Sequence, residues 1–480
     1  MRFPRLPFPA RARTMRHPLS WLMALAMCCA VVACKSLPDV EAEAPVRATP
    51  TIAGTNGTLA PKQASALAAK RWANASTDLT ALAALEEQAT GVPLIAGNKV
   101  TLLFDGPATM RAMMDAARAA TSSVNLETYI FDQDKIGMEF ADLLIEKQKA
   151  GVQVNVMYDA VGTIGTPAAF YDRMRAAGIR MVAFNPVNPA HAKGKWELNN
   201  RDHRKLMIVD GRIAFTGGIN ISSTYANSSL FRSRNKPELR QEAKNGDPKG
   251  EKVGWRDTQI KIEGPAVAAL QWSFVNGWVQ QEGGELRQAE YFPKLDPAGD
   301  KILRVLAAGP EAESDIYKSL LLAINESKKS VHLTAAYFVP DQQIVDALVA
   351  AAKRGVDVRL VLPGVSDHSL IRYAGQDFYD QLLAGGVRIF ELQIAVLHAK
   401  TAAIDSAWST IGSANIDRRS FLHNYELNVV VLDPGFGRDM ESAFNEDLRD
   451  SKEVTLDRWR HRPWSDRIKE MVARLGEYWI

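Results

Sequence analysis

One pattern, H-x-K-x4-D, occurs twice in this chain and constrains the fold more than any other feature. His203, Lys205 and Asp210 carry it in HRKLMIVDG, and His398, Lys400 and Asp405 carry it again in HAKTAAIDS, 195 residues later. The sequels match too. Gly217, Gly218 and Asn220 follow the first copy, and Gly412, Ser413 and Asn415 follow the second, at the same offsets from the histidine. A loose three-residue pattern arises by chance, but two copies with parallel sequels mark an internal repeat. The chain is therefore read as two halves of one active site.

The segments around the motifs repeat as well. SVNLETYIF, KIGMEFADLLIEKQKAG and VQVNVMYDA read as strand, helix and strand, and SVHLTAAYF, DQQIVDALVAAAKRG and VDVRLVLPG read the same way. Each set predicts a β-α-β unit, hence an α/β fold in which each half is a mainly parallel sheet flanked by helices. The motif itself reads as a strand, because KLMIVD and KTAAID run on into a Gly turn and a second apolar run. From Leu79, LTALAALEEQ has helical spacing and KVTLLFDG alternates as a strand does. The halves are placed at residues 79–290 and 291–450.

The N-terminus carries targeting information. Arg11, Arg13 and Arg16 precede an apolar run from Leu19 to Ala33, too short for a comfortable membrane span, so residues 1–33 read as a secretory signal. The run ends in Val31-Val32-Ala33-Cys34, a small-residue step into cysteine that resembles the bacterial lipoprotein box, with Cys34 then acylated. An uncleaved N-terminal anchor is the alternative; both place the body outside the cytoplasm. Met15 as the start would keep the basic and apolar regions intact. All three cysteines, Cys28, Cys29 and Cys34, fall here, so the body has no disulfide of its own. Residues 34–78, rich in Ala, Pro, Thr and Gly, read as a flexible tether. Between Tyr225 and Trp255 lies a polar stretch with seven Lys or Arg against four Asp or Glu, read as a solvated loop, with a lid or headgroup contact as the alternative. Residues 451–480 are expected to form a basic amphipathic C-terminal helix. Ile468, Met471, Val472, Leu475 and Trp479 stand at helical spacing, with Arg467, Lys469 and Arg474 on the rest of its surface. Capping the protein's own core is the favoured role for it, and lying on a bilayer the other.

The stretches ETYIF, RDHRKLMIVDG, GPAVAALQWSF, AYFVPDQ, LPGVSDH, LHAKTAAID and IGSANIDRRSF resemble the phospholipase D superfamily, and bacterial cardiolipin synthases in particular, from Leu79 to the C-terminus. The resemblance implies two phospholipase D-like domains meeting across a pseudo-twofold axis to cleave a phosphodiester through a phosphohistidine. It implies His203 as the nucleophile and His398 as the acid that becomes the base. It also implies a carboxylate outside each motif that orients the histidine, and Glu426 in NYELN and Asp257 in WRDTQI suit that part. Phosphatidylglycerol as donor and acceptor would give cardiolipin and glycerol; water as acceptor would give phosphatidic acid. No cofactor is implied. Many such synthases carry two N-terminal membrane helices where this chain shows a lipoprotein-type segment, which points to a membrane-anchored protein on the periplasmic side of a bacterial envelope.

The residue types suit that chemistry. Residues two apart on a strand face the same way, so each histidine projects beside its lysine. Lys205, Lys400, Asn220 and Asn415 can stabilise charge on the non-bridging oxygens of a phosphodiester. One imidazole must be neutral to attack phosphorus and the other protonated to release the alcohol, and a pKa near ~6.5 makes both forms accessible. Asp210 and Asp405 complete the motif in the catalytic set, although a strand-end aspartate can equally hold a turn. Ser413 stands where the first half has Gly218, so the halves differ chemically. A zinc site is disfavoured, since a lysine beside each histidine would set cations against the metal. His332, His368, His423 and His461 are read as structural histidines. A net charge of +3 and the lack of a long basic groove with stacking aromatics disfavour a nuclease. A non-catalytic membrane-binding scaffold is disfavoured by the intact motifs. One copy of the chain holds both histidines, so a monomer suffices for catalysis.

Overall fold

The repeat folds into two sheets with the same strand order. The computed structural model describes residues 36–40, 49–194, 196–226, 254–286 and 290–474. In the first half the strands lie side by side as Arg180–Phe184, Gln153–Asp159, Ser123–Thr128, Leu206–Val209, Ile213–Gly217, Gln259–Glu263 and Leu94–Leu103. In the second they run Arg388–Leu397, Asp357–Val365, Ser330–Ala335, Lys400–Ile404, Trp408–Gly412, Glu426–Leu432 and Lys301–Ala308. The last strand of each series pairs antiparallel with the other, so the two sheets meet at a seam.

The α/β class and the two related halves stand as expected, but each sheet is mixed rather than mainly parallel. The β-α-β part supplies three parallel strands. The remainder are antiparallel because the motif strand turns straight back in a hairpin. That turn opens on the motif aspartate in the left-handed region, with φ 54° at Asp210 and 52° at Asp405, a conformation Asp tolerates better than most residues. Helices flanking the sheets start on side-chain caps: Asp105, Asp134, Asp341 and Asp433 each accept a backbone N–H of the first turn. One buried cluster joins the halves, with Leu206, Ile208, Phe274 and Trp278 packed among Leu303, Leu427, Val429 and Phe436.

Three expectations about boundaries are corrected. The stretch read as a tether holds strands Ile52–Gly54 and Gly57–Thr58 and a helix, Pro61–Trp72, which buries Ala64, Ala68 and Trp72. The Trp72 indole donates to Leu432 O at 2.8 Å. Ahead of it, Gln343 makes a two-way clasp on the chain just after residue 36: its Oε1 accepts from Val40 N and its Nε2 donates to Pro38 O. The helix Leu79–Thr90, expected to open the first half, packs on Asp315–Glu326 of the second. Buried Glu86 fixes it there, accepting from Ser319 Oγ at 2.5 Å and Trp408 Nε1 at 2.8 Å. The C-terminal segment comprises a strand, Ser451–Val454, that extends the second sheet, and two helices, Leu456–Arg460 and Trp464–Arg474. The signal segment with Cys34, the core of the polar loop, and Leu475 and Trp479 lie outside the described residues.

Candidate active site

Each motif is held by a segment of the opposite half. His203 N donates to Tyr425 O at 2.9 Å and His398 N to Arg256 O at 2.8 Å. In both places the next residue supplies a carboxylate. Glu426 follows Tyr425, and both its oxygens lie 3.0 Å from His203 Nδ1. Asp257 follows Arg256, and its Oδ2 lies 2.6 Å from His398 Nδ1. The carboxylates are thus exchanged between the halves. With Nδ1 of each ring bound to a carboxylate, Nε2 is left for chemistry.

The lysines fold back on their own motifs. Lys205 Nζ donates to His203 O at 2.6 Å. Lys400 Nζ donates to His398 O and lies 3.0 Å from His398 Nδ1. Glu426 also accepts from Ser413 Oγ at 2.5 Å and from Asn424 Nδ2 at 3.2 Å. The equivalent position in the first half, Gly218, leaves no room for a side chain, since a Cβ there would fall 2.1 Å from Asp257 Oδ1. The shorter aspartate stands close to the backbone in the space a serine would need. The Gly218 and Ser413 asymmetry noted in the sequence is therefore matched to the difference between aspartate and glutamate.

Electrostatics differ between the two pairs. Burial alone would raise Glu426, but the charges of His203 and Lys205 and bonds from His203 and Ser413 hold it at about 2. Asp257 is pushed up to about 6 by burial, against the pull of Lys400. Burial lowers His203, with Glu426 opposing it. Burial and then the charge of Lys400 take His398 well below the ordinary histidine value. Lys205 is lowered to about 7 and Lys400 is lowered too, both chiefly by burial. So the expectation of two near-neutral histidine pKa values is corrected: without a phosphate in place, the neutral imidazoles are favoured, since low dielectric disfavours more positive charge beside the lysines.

Both histidines line one cavity of about 210 Å³, with Asn220, Asn415, Arg201, Arg419 and Asp417. Asn220 is already engaged: its Oδ1 accepts from Ile130 N and its Nδ2 donates to Tyr225 Oη. Asp417 is pushed up to about 7 by burial. Aromatic rings wall the site. Tyr129 meets the His203 ring edge-on at 5.1 Å, and Trp255, Tyr225 and Tyr337 surround His398 at 4.9, 5.6 and 6.4 Å. Sequence reasoning missed these rings, although ETYIF, AYFVP and the WRD run each display one. It also missed His368, which lines the cavity beside Asp367 instead of serving as a structural histidine. His332 keeps a structural place, bonded to Glu441 at 2.5 Å and stacked on Phe444.

Asp210 and Asp405 do not line the cavity. Asp210 accepts the backbone N–H groups of Thr121, Ser122 and Ser123, and Asp405 those of Lys328, Lys329 and Ser330. Their membership of the catalytic set is corrected: they tie the motif hairpin to the start of the neighbouring strand.

Residues 112–231 and 320–448 match the family described as cardiolipin synthase, phospholipase D-like domain. The chain is 33% identical over 387 residues to a cardiolipin synthase of Geobacillus thermodenitrificans, covering 80% of this chain and 72% of that one. It is 34% identical over 376 residues to cardiolipin synthase 2 of Bacillus anthracis, covering 78% and 69%. Among solved structures, the phosphatidylserine synthase of Haemophilus influenzae shares the fold, with a TM-score of 0.61 at 13% identity over 82% of this chain and 97% of that one.

Proposed function

The chain belongs to the phospholipase D-like cardiolipin synthase family, and on that premise we propose that it transfers a phosphatidyl group from one phosphatidylglycerol to another, giving cardiolipin and glycerol. One observation carries this reading: two histidines, each bonded through Nδ1 to a buried carboxylate of the other half, line a single cavity with two lysines beside them. In the first step His203 Nε2 attacks phosphorus, the bond to the headgroup oxygen breaks, and His398 gives that oxygen its proton. In the second, the terminal hydroxyl of another phosphatidylglycerol loses its proton to His398 and attacks. The phosphorus–nitrogen bond breaks and His203 is restored. Lys205, Lys400, the Asn415 amide and the second Nδ2 hydrogen of Asn220, the first being held by Tyr225, stabilise the non-bridging oxygens. Glu426 and Asp257 orient the rings and stabilise the imidazolium of each in turn. Burial and then the lysine charges depress His398; the phosphodiester anion offsets those charges, so the acid form builds up as substrate binds.

The cavity is smaller than the roughly 300–1,000 Å³ of a drug-sized pocket, so the headgroup fits inside and the acyl chains stay in the bilayer. We place the body at an envelope membrane on its periplasmic side, anchored through an acylated Cys34. Incubating the full chain with phosphatidylglycerol in mixed micelles, beside His203→Ala and His398→Ala, tests the reading by mass spectrometry. Cardiolipin and glycerol, absent with both variants, are expected; phosphatidic acid alone would move the assignment to hydrolysis.

A further inference from the structure

The helix Trp464–Arg474 is attached by the wrong face for a core helix. Trp464, Ile468 and Met471 are 74%, 44% and 62% exposed. Their spacing, i, i+4 and i+7, puts them on one stripe. The opposite side holds Glu470 and Ala473, each only 3% exposed. Glu470 is fixed by two bonds from Arg462, at 2.9 and 2.5 Å, and Arg462 in turn stacks on Trp459 at 3.8 Å. An isolated surface hydrophobe is ordinary, but a tryptophan, an isoleucine and a methionine in one row, with a glutamate buried beneath them, is an apolar patch that marks an interaction site.

The surroundings identify the partner. Arg467 lies beside the stripe and is exposed, while Lys469, also exposed, stands toward the packed side, where it pairs with Asp466 at 2.9 Å and sits 5.4 Å from the Tyr373 ring. An arginine beside an apolar row, with a tryptophan at its end, suits an anionic bilayer better than a protein surface, because indole and basic side chains both favour the interface. The helix also lies one element away from the catalytic cavity. It packs on Ser369–Gln376, the helix that brings Ile371 to the cavity just after His368, and whose Leu370 is itself 60% exposed. Among the described residues no helix is long and apolar enough to cross a membrane.

We infer that the C-terminal helix Trp464–Arg474 is an interfacial membrane-docking element that lays Trp464, Ile468 and Met471 into an anionic phospholipid surface beside the mouth of the catalytic cavity. This rests on the phosphatidyltransfer reading for its functional consequence, though the surface itself is tested independently. Docking holds the cavity mouth at the depth of the headgroups, so a lipid need rise only by its headgroup to reach His203.

Two measurements on the full chain decide it. In vesicles of phosphatidylglycerol with brominated acyl chains, the tryptophan fluorescence should be partly quenched, and Trp464→Phe should remove a component of that quenching. Identical quenching in the variant would overturn the inference. Second, the triple variant Trp464→Ser, Ile468→Ser, Met471→Ser should turn over phosphatidylglycerol in vesicles about tenfold more slowly or worse. Short-chain phosphatidylglycerol below its micelle concentration should be turned over at the wild-type rate. Unchanged vesicle turnover overturns the proposal, and so does a loss of self-association by the triple variant with vesicle turnover intact, which would make the patch an interface between copies. If the triple variant fails on both substrates, the quenching of Trp464 decides alone. Wild-type inactivity on both substrates sinks the transfer reading and leaves the quenching result standing.

Discussion

At Glu426 and Asp257 the protein solves one problem twice, with opposite thermodynamic signs. Glu426 sits at about 2 against its usual 4.5, so folding favours its ionised form. The stability this brings is complete above about pH 4.5 and is lost as pH falls through about 2, and by linkage it amounts to roughly 3 kcal/mol. Asp257 sits at about 6 against its usual 3.8, so folding favours its protonated form and stability declines as pH rises from about 4 to about 6. Above that range the buried charge carries its full cost. Glu426→Gln should therefore lower Tm at pH 7, whereas Asp257→Asn should hold or raise it. Both substitutions should cut kcat by about a hundredfold or more, because an amide cannot fix the tautomer that leaves Nε2 free. Thermal unfolding at pH 7 and steady-state kinetics check the pair. A Tm that falls equally in both variants would contradict the electrostatic distinction. Proton uptake on binding is a further expectation. His398 lies well below the ordinary histidine value in the free protein, so the group that limits kcat in the complex should titrate at higher pH than the one that limits kcat/KM.

Among the elements, the motif hairpin separates catalysis from architecture within eight residues. Its histidine lines the cavity with the lysine folded back beside it, and its aspartate, at the far end of the strand, accepts three consecutive backbone N–H groups. Asp405→Ala leaves those donors without their acceptor in a nearly buried place, a loss of about 1–3 kcal/mol in urea unfolding. Turnover per folded molecule should stay within about twofold of wild type. A hundredfold loss of kcat with stability intact would return Asp405 to the catalytic group. The hairpin also shows what sequence can reveal. The strand, the turn and the repeat were legible because alternation and the spacing of His, Lys and Gly survive in one dimension. The aspartate's role was not, because its partners Lys328, Lys329 and Ser330 lie 75 and more residues away. The helix Pro61–Trp72 was hidden in another way. Its buried positions, Ala64, Ala68 and Trp72, have helical spacing, but alanine-rich composition resembles a linker when only large apolar side chains are counted. Proline at its first position and Lys70 and Arg71 in its last turn were the usable signals.

Over the whole molecule, the exchange of carboxylates makes one chain equivalent to a dimer of its halves. Glu426 stands 28 residues after His398 in the chain, yet it bonds to His203, and Asp257 of the first half bonds to His398. Which half's carboxylate serves which histidine follows from the pairing of Asp202 with Tyr425 and of Leu397 with Arg256, which no local pattern encodes. The shared core of Leu206, Ile208, Phe274, Leu427 and Val429 holds the two halves in that relation. Neither half can therefore assemble the histidine pair alone, whereas one copy holds both histidines and both carboxylates. Mixing purified His203→Ala with purified His398→Ala, each inactive, should restore no cardiolipin formation at any ratio or concentration. If the site were built between copies, or if the halves exchanged between chains, about a quarter to a half of the pairings would carry an intact site and activity would return on mixing. Product analysis by mass spectrometry on the mixture, beside each variant alone, separates these cases.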